Sequence, residues 1–229
     1  FVFEYESPEC NGPDGSVLKS ISSAELIATS DSLDFSLLKL SEEIPENYGP
    51  YFAGWSVSED NPLNTTTIHH PQGDVKKISK DNDPALIEYQ VIDPPSWLEK
   101  GSVSQAFWRI ERWDLGTTEF GSSGCPLFNQ SKLIVGNLTG GDANCSNPVN
   151  DYFSKFFMCW DYYDKPELQL KHWLDSAGTG DLFIEGYDPY NPNIDPGIDL
   201  PVFSVYPNPN KGNFTLFLDT IPFKNTLVN

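Results

Sequence analysis

The sequence predicts an all-β protein with one late helix and a short appendage of different composition. Three observations lead there. The 19 prolines and 17 glycines are spread along 229 residues, and short β-branched or aromatic runs lie between them. Many short strands punctuated by turns mark a sandwich or barrels. Only one stretch carries helical spacing, and a run of closely spaced Pro, Asp and Asn sets off the C-terminal residues.

In chain order, the candidate strands are residues 2–5, 22–28, 35–40, 65–69, 85–92, 105–113, 127–128, 133–138 and 153–160. The first of these, Phe1-Val2-Phe3-Glu4-Tyr5, alternates from its first residue, so the sequence reads as a piece that begins in mid-sheet. The predicted helix is 166–176. There Leu170, Trp173 and Leu174 recur at helical steps, Pro166 suits a first turn and Gly178 a stop. Residues 188–201 read as an extended linker, because their prolines, Asp and Asn neither pack nor propagate a ladder. Residues 202–229 then hold two strands around a Pro-Asn-Pro-Asn turn, the start of a further β unit, since an isolated hairpin is marginal in water.

Charge excludes some partners. With 33 Asp plus Glu against 14 Lys plus Arg, the formal net charge is −19. Such a surface repels phosphate backbones and anionic lipid heads, so nucleic acid and bare membranes are poor partners. No apolar run approaches the roughly 20 residues of a spanning helix. The four cysteines, Cys10, Cys125, Cys145 and Cys159, form no CxxC pair and lie near no closely spaced histidines, so a zinc site is not expected. Three disulfide pairings are open, in keeping with a secreted chain, with buried thiols at Cys125 and Cys159 as the alternative. Asp81-Asn82-Asp83 lacks the ligand spacing of a calcium loop. No metal or cofactor is expected.

The chemistry-bearing stretch is Thr117-Thr118-Glu119-Phe120-Gly121-Ser122-Ser123-Gly124-Cys125-Pro126. A Gly-x-Ser-Gly turn lets the backbone fold tightly under a serine and expose its hydroxyl. Its small neighbours leave room for two inward N–H groups, of Gly121 and Ser123, to hold a developing oxyanion. An ordinary Gly/Ser turn before a strand would read the same.

This stretch resembles the nucleophile loop of chymotrypsin-fold serine peptidases, Gly-Asp-Ser-Gly-Gly-Pro, and more closely the Gly-Ser-Ser-Gly-Ser-Pro of bacterial lysyl endopeptidases. The resemblance extends in order over residues 1 to about 187. Ser30-Asp31-Ser32-Leu33-Asp34-Phe35-Ser36-Leu37-Leu38 is similar to the strand that carries the triad aspartate. Ala53-Gly54-Trp55, Ile68-His69-His70-Pro71, Gly136-Asn137-Leu138-Thr139-Gly140-Gly141 and Trp173-Leu174-Asp175 match the same branch. The resemblance implies a trypsin-like double β-barrel lacking its N-terminal strands over 1–187, with Ser123 as nucleophile and Asp34 as the buried acid that orients an imidazole. It implies oxyanion donors at Gly121 and Ser123. It also implies a substrate-binding strand at Thr139, Gly140 and Gly141, and a pocket-floor carboxylate at Asp151, with Asp142 as competitor. The implied activity is acyl-enzyme endopeptidase chemistry on peptides with basic side chains, Lys and also Arg, because Thr139 stands where the branch has His.

The resemblance also shows what is missing. Hydrolysis needs a general base, and the only histidines are His69, His70 and His172. None precedes Asp34, where the family's base lies. His69 or His70 would give the order Asp, His, Ser, but His-His-Pro matches a strand that supplies no base. The sequence is therefore expected to lack its base and to be inactive or nearly so. The competing reading is an inactive homologue used for surface binding or adhesion. Cys10 and Cys145 match cysteines that bond into the family's N-terminal segment; Cys125 and Cys159 have no such match and are expected to face each other as an extra bridge.

Val205-Tyr206-Pro207-Asn208-Pro209-Asn210-Lys211-Gly212-Asn213-Phe214-Thr215-Leu216 resembles the opening of the C-terminal sorting domain of type IX secretion. It implies that 202–229 begin a β-sandwich sorting domain, that the secretion machinery is a partner, and that the product is secreted or held at the cell surface.

Overall fold

In the computed structural model the described residues are 1–9, 12–87, 103 and 105–190, together with the backbone of strands 203–206 and 215–218. Residues Phe1–Tyr190 form one compact unit and Asn191–Asn229 another. In the first unit the strands are β1 (Ala24–Ser30), β2 (Phe35–Leu40), β3 (Trp55–Ser56), β4 (Thr65–His69), β5 (Lys77–Asp81) and β6 (Leu86–Ile87). They continue as β7 (Phe107–Arg112), β8 (Pro126–Phe128), β9 (Ile134–Gly141), β10 (Val149–Lys155) and β11 (Phe183–Ile184).

β1 and β2 pair as a separate antiparallel hairpin. The main sheet runs β5-β4-β8-β9-β10-β7-β6, with β3 on β9 and β11 on β3. Backbone bonds between Lys80 and Leu115, at 2.9 and 3.1 Å, return the β5 edge to the chain just past β7. That closure curls the sheet into a barrel. The fold is all-β and trypsin-like.

Alternation decides what fills the barrel. On β4 and β5 the inward residues are Thr65, Thr67 and His69, and Ser79 and Asp81, all buried. Apolar residues from the other strands, Trp108, Ile110, Leu127, Leu138 and Phe153, join Trp113 in one core cluster. The opposite face of β10 carries Tyr152 into a second cluster with Leu33, Phe35, Trp55, Phe107, Cys159 and Trp160. That cluster ties the hairpin to the sheet, helped by the Ser154 hydroxyl, which donates to the Leu33 carbonyl.

Several expectations need correction. The run 153–160 is not one strand: β10 ends at Lys155 and helix α1 (Phe156–Asp161) begins. A short apolar run does not distinguish the two by periodicity, and here the four-residue step puts Phe156 and Trp160 together against Trp55, at 5.7 and 4.7 Å. The helix expected over 166–176 is broken into a 3₁₀ turn, Pro166–Leu168, and a single turn α2 (Lys171–Leu174). Gln169 between them is extended, and the Leu170 N–H is drawn to the Cys159 carbonyl. Residues 2–5 make one bridge, Val2 to Ser20, with Glu4 at φ 55°. The 85–92 strand is described only through Ile87.

The Cys125–Cys159 bridge is also absent: Cys125, Cys145 and Cys159 are free thiols. The Cys125 sulfur sits 3.1 Å from Thr67 Oγ1 and that of Cys159 3.3 Å from Ser154 Oγ, each beside a different core cluster. Cys10 lies outside the described residues.

In the second unit β12 (Phe203–Tyr206) and β13 (Thr215–Leu218) pair as an antiparallel hairpin. The turn between them, and the linker beyond Tyr190, lie outside the described residues.

Candidate active site

The loop from Gly116 to Cys125 joins the end of β7 to β8. Gly121 and Gly124 take φ values of 91° and 81°, which favour glycine. A Cβ on Gly121 would also stand 3.0 Å from the Gln72 nitrogen. Reciprocal backbone bonds pin the loop's end to β9, Gly124 N–H to Leu138 O at 2.7 Å and Leu138 N–H to Cys125 O at 2.9 Å. The result lifts Ser123 out to solvent while its neighbour Ser122 is buried. Among the described residues neither the Gly121 nor the Ser123 backbone N–H has an acceptor.

Ser123 opens onto two cavities. One, of about 500 Å³, is walled by Leu138, Thr139, Gly140 and Gly141 of β9 and reaches Asp151. Asp151, 1% exposed, accepts a hydrogen bond from Trp113 Nε1 at 2.6 Å and from Thr118 Oγ1 at 2.5 Å, both on Oδ2. Burial pushes its carboxyl above the usual range, and these donors pull in the opposite direction. Gly141 has no substitute here, because a Cβ would come within 2.3 Å of Asp151 Oδ1. Asp142 is exposed and does not line this cavity.

The second cavity, of about 700 Å³, lies between the hairpin and the barrel and is lined by Asp34 as well as Ser123. Asp34 leaves the β1–β2 turn at φ 48° and is exposed, not buried as the sequence led us to expect. Asn137 Nδ2 donates to its carbonyl at 2.9 Å and fixes the turn over β9.

None of the three histidines lines either cavity. His70 is half-buried, its Nδ1 3.0 Å from the Asp74 carbonyl, and His172 packs edge-on against Trp173. His69 is 1% exposed, with Nδ1 2.9 Å from Ser122 Oγ and Nε2 3.0 Å from Ser79 Oγ. Both ring nitrogens face hydroxyls, of Ser122 and Ser79, each of which can donate or accept, so a neutral ring is satisfied in either tautomer. Burial, aided by the charge on His70, holds His69 below the ordinary imidazole range. Below about pH 6.5 the unfolded chain takes up a proton that the folded one refuses. Stability is therefore expected to fall from pH 7 toward pH 5, by up to about 1.4 kcal/mol per pH unit. His69→Gln should flatten that part of a urea-midpoint-versus-pH curve. An unchanged slope would place the titration elsewhere.

Two contributors escaped the sequence. Thr118 sits inside the motif but carried no assignment, and Trp113 gave no signal at all, since 38 positions separate it from Asp151. Among the described residues no group of His, Cys, Asp or Glu is arranged to hold a metal.

A curled β-barrel thus presents an exposed serine on a glycine turn, beside a buried carboxylate. The family model "Lysyl endopeptidase, C-terminal domain" matches residues 1–154, and the chain belongs to that family. The lysyl endopeptidase of Pseudomonas aeruginosa is 29% identical over 168 residues, which cover 68% of this chain and 33% of that protein. The chain thus spans about a third of the length of this relative. Among solved structures, the active form of the Rv3671c protease of M. tuberculosis is 16% identical with a TM-score of 0.41, covering 58% of this chain and 53% of that one. Its inactive form is 18% identical with a TM-score of 0.38, covering 58% and 61%. No helix among the described residues is long and apolar enough to cross a membrane.

Proposed function

We propose that this chain carries the nucleophile, oxyanion donors and specificity pocket of a secreted serine endopeptidase that cleaves after basic residues. The observation that carries this reading is the single cavity that Ser123 shares with Thr139, Gly140, Gly141 and Asp151. A Lys or Arg side chain entering it meets a desolvated carboxylate, an ion pair that neutral side chains cannot form. The substrate backbone runs along the open Gly140-Gly141 edge, which brings the scissile carbonyl to Ser123. The Ser123 oxygen attacks the carbonyl carbon while its proton passes to an imidazole. The carbonyl electron pair moves onto oxygen, and the Gly121 and Ser123 N–H groups receive it. Collapse breaks the C–N bond, the imidazolium proton leaves with the amine, and water repeats the sequence on the acyl-enzyme.

The imidazole comes from polypeptide outside these residues, because His69, His70 and His172 are engaged elsewhere. Asp34, on the second cavity, orients it. The same absence favours one other reading, an inactive homologue that binds peptides at the cell surface. In either case the 202–229 segment opens a type IX sorting domain that directs the product to the cell exterior.

Peptide boronates test the site without the imidazole, since the serine oxygen adds to boron to give a tetrahedral boronate while its proton is released to solvent. A boronate with a lysine side chain is expected to bind this chain at least about tenfold more tightly than its norleucine counterpart in calorimetry. Equal affinities would remove the basic-side-chain assignment.

A further inference from the structure

The carboxylate at the pocket floor does not stand alone, and what stands behind it sets how it works. Trp113 follows β7 and is 3% exposed. Its backbone N–H is bound to Pro148 O at 2.9 Å, and its ring meets Phe153 edge-on with centroids 6.1 Å apart. The indole therefore has one orientation, and in it the N–H ends on Asp151 Oδ2, where the Thr118 hydroxyl also ends. With Oδ2 occupied twice, Oδ1 is turned against the Gly141 wall of the cavity.

We propose that Trp113 is a positioning residue for Asp151, an indole donor that together with Thr118 locks one carboxylate oxygen and aims the other at the entering cation. This rests on the specificity reading above. The consequence is a pH range as well as a geometry. Hydrogen bonds to a carboxylate favour its ionised form against the cost of burial. Without the indole N–H, the carboxyl should take up its proton at higher pH and release the cation there.

Other titratable groups near Asp151 leave that signal legible. Cys125 on the nucleophile loop is pushed up to about 12 by burial. Glu119 on the same loop is held below the usual carboxylate range by the Cys145 thiol and the Gln72 amide. Arg109 on β7 donates to Asn150 Oδ1 at 2.8 Å. Asp142, after β9, is the remaining carboxylate acting on Asp151 and can be removed as Asp142→Asn in every variant compared.

The test is p-aminobenzamidine fluorescence titrated into this chain between pH 4.5 and 8, in the Asp142→Asn background. Trp113→Phe keeps the ring and loses the donor. Its binding midpoint is expected to move up by about one pH unit, with affinity at pH 5 down about tenfold and affinity at pH 8 within about threefold of the parent. Thr118→Val should shift the midpoint in the same direction, whereas Thr118→Ser keeps the hydroxyl and should leave it in place. A fall of equal size at every pH, or a Trp113→Phe curve that superimposes on the parent's, would overturn the positioning role. Should Trp113→Phe not fold, the Thr118→Val and Thr118→Ser pair decides between the same two outcomes. A parent chain that binds p-aminobenzamidine no better than neutral p-aminobenzamide would sink the specificity reading itself, which is a different result.

Discussion

On the proposed endopeptidase reading, Ser123→Ala is expected to abolish turnover in any form that supplies the imidazole, lowering kcat on the order of 10⁶-fold, while Ser122→Ala leaves the chemistry largely in place. The two serines are neighbours, and taken as a pair of atoms Ser122 is the more tempting nucleophile. Its hydroxyl lies 2.9 Å from an imidazole nitrogen, the separation of a serine–histidine dyad. Accessibility decides against it. Ser122 and His69 are 2% and 1% exposed, and neither lines a cavity a substrate can enter. Ser123 is exposed, faces both cavities and lies beside two backbone N–H groups that have no acceptor among the described residues. The His69–Ser122 pair instead anchors the loop from below, joined by the Gln72 N–H donating to Phe120 O at 2.7 Å. A fluorophosphonate followed by peptide mapping separates the two: modification at Ser122, or full activity in Ser123→Ala, would overturn the assignment. With this 229-residue chain the same reagent should react far more slowly than with a serine peptidase whose triad is complete, because none of its three histidines lines the cavities at Ser123.

What the sequence disclosed follows how local each signal is. The 116–125 loop was legible because glycine tolerates positive φ at no steric cost, so closely spaced Gly121 and Gly124 point to a tight turn without knowledge of the rest of the chain. β4 was legible from its β-branched run Thr65-Thr66-Thr67-Ile68. β5 was not: its apolar residue, Ile78, is exposed with Lys77 and Lys80, and the polar Ser79 and Asp81 point inward, which inverts the usual alternation. The aromatic run after Ser154 gave the wrong structure type because Phe156 and Trp160 take their orientation from Trp55, a hundred residues earlier in the chain. The helix at 166–176 failed for a similar reason, as the Leu170 N–H is claimed by Cys159. Nothing local distinguishes Trp113 either. Its partner is reached only through the pairing of β7 with β10, and a single sequence does not carry that register.

Asp151→Asn should separate recognition from stability in opposite directions. On the recognition side, truncating one partner of a buried charge pair costs about 2–5 kcal/mol. The kcat/KM for Lys and Arg substrates should therefore fall roughly 30- to several-thousand-fold, with norleucine substrates changed little. The amide keeps the two side-chain contacts, since its single oxygen can still accept from Trp113 Nε1 and Thr118 Oγ1 as Oδ2 does, beside the Ala143 backbone N–H that also bonds to this group. On the stability side the sign is reversed. Burial raises the folded-state pKa of Asp151 above its unfolded value. Below the unfolded value, near pH 3.9, the group costs nothing. As pH rises through the folded value, the folded chain must ionise a carboxyl that would rather remain in water, and wild-type stability declines. The asparagine variant has no such loss, so its advantage should open above the unfolded pKa and be complete once pH exceeds the folded one. His69 acts in the opposite sense, removing stability as pH falls, and the two slopes are measurable on one set of urea curves. A variant that loses recognition while gaining stability near neutral pH marks a group kept for what it binds. A variant that loses both would make Asp151 a structural carboxylate, and the basic-residue specificity proposed for this chain would go with it.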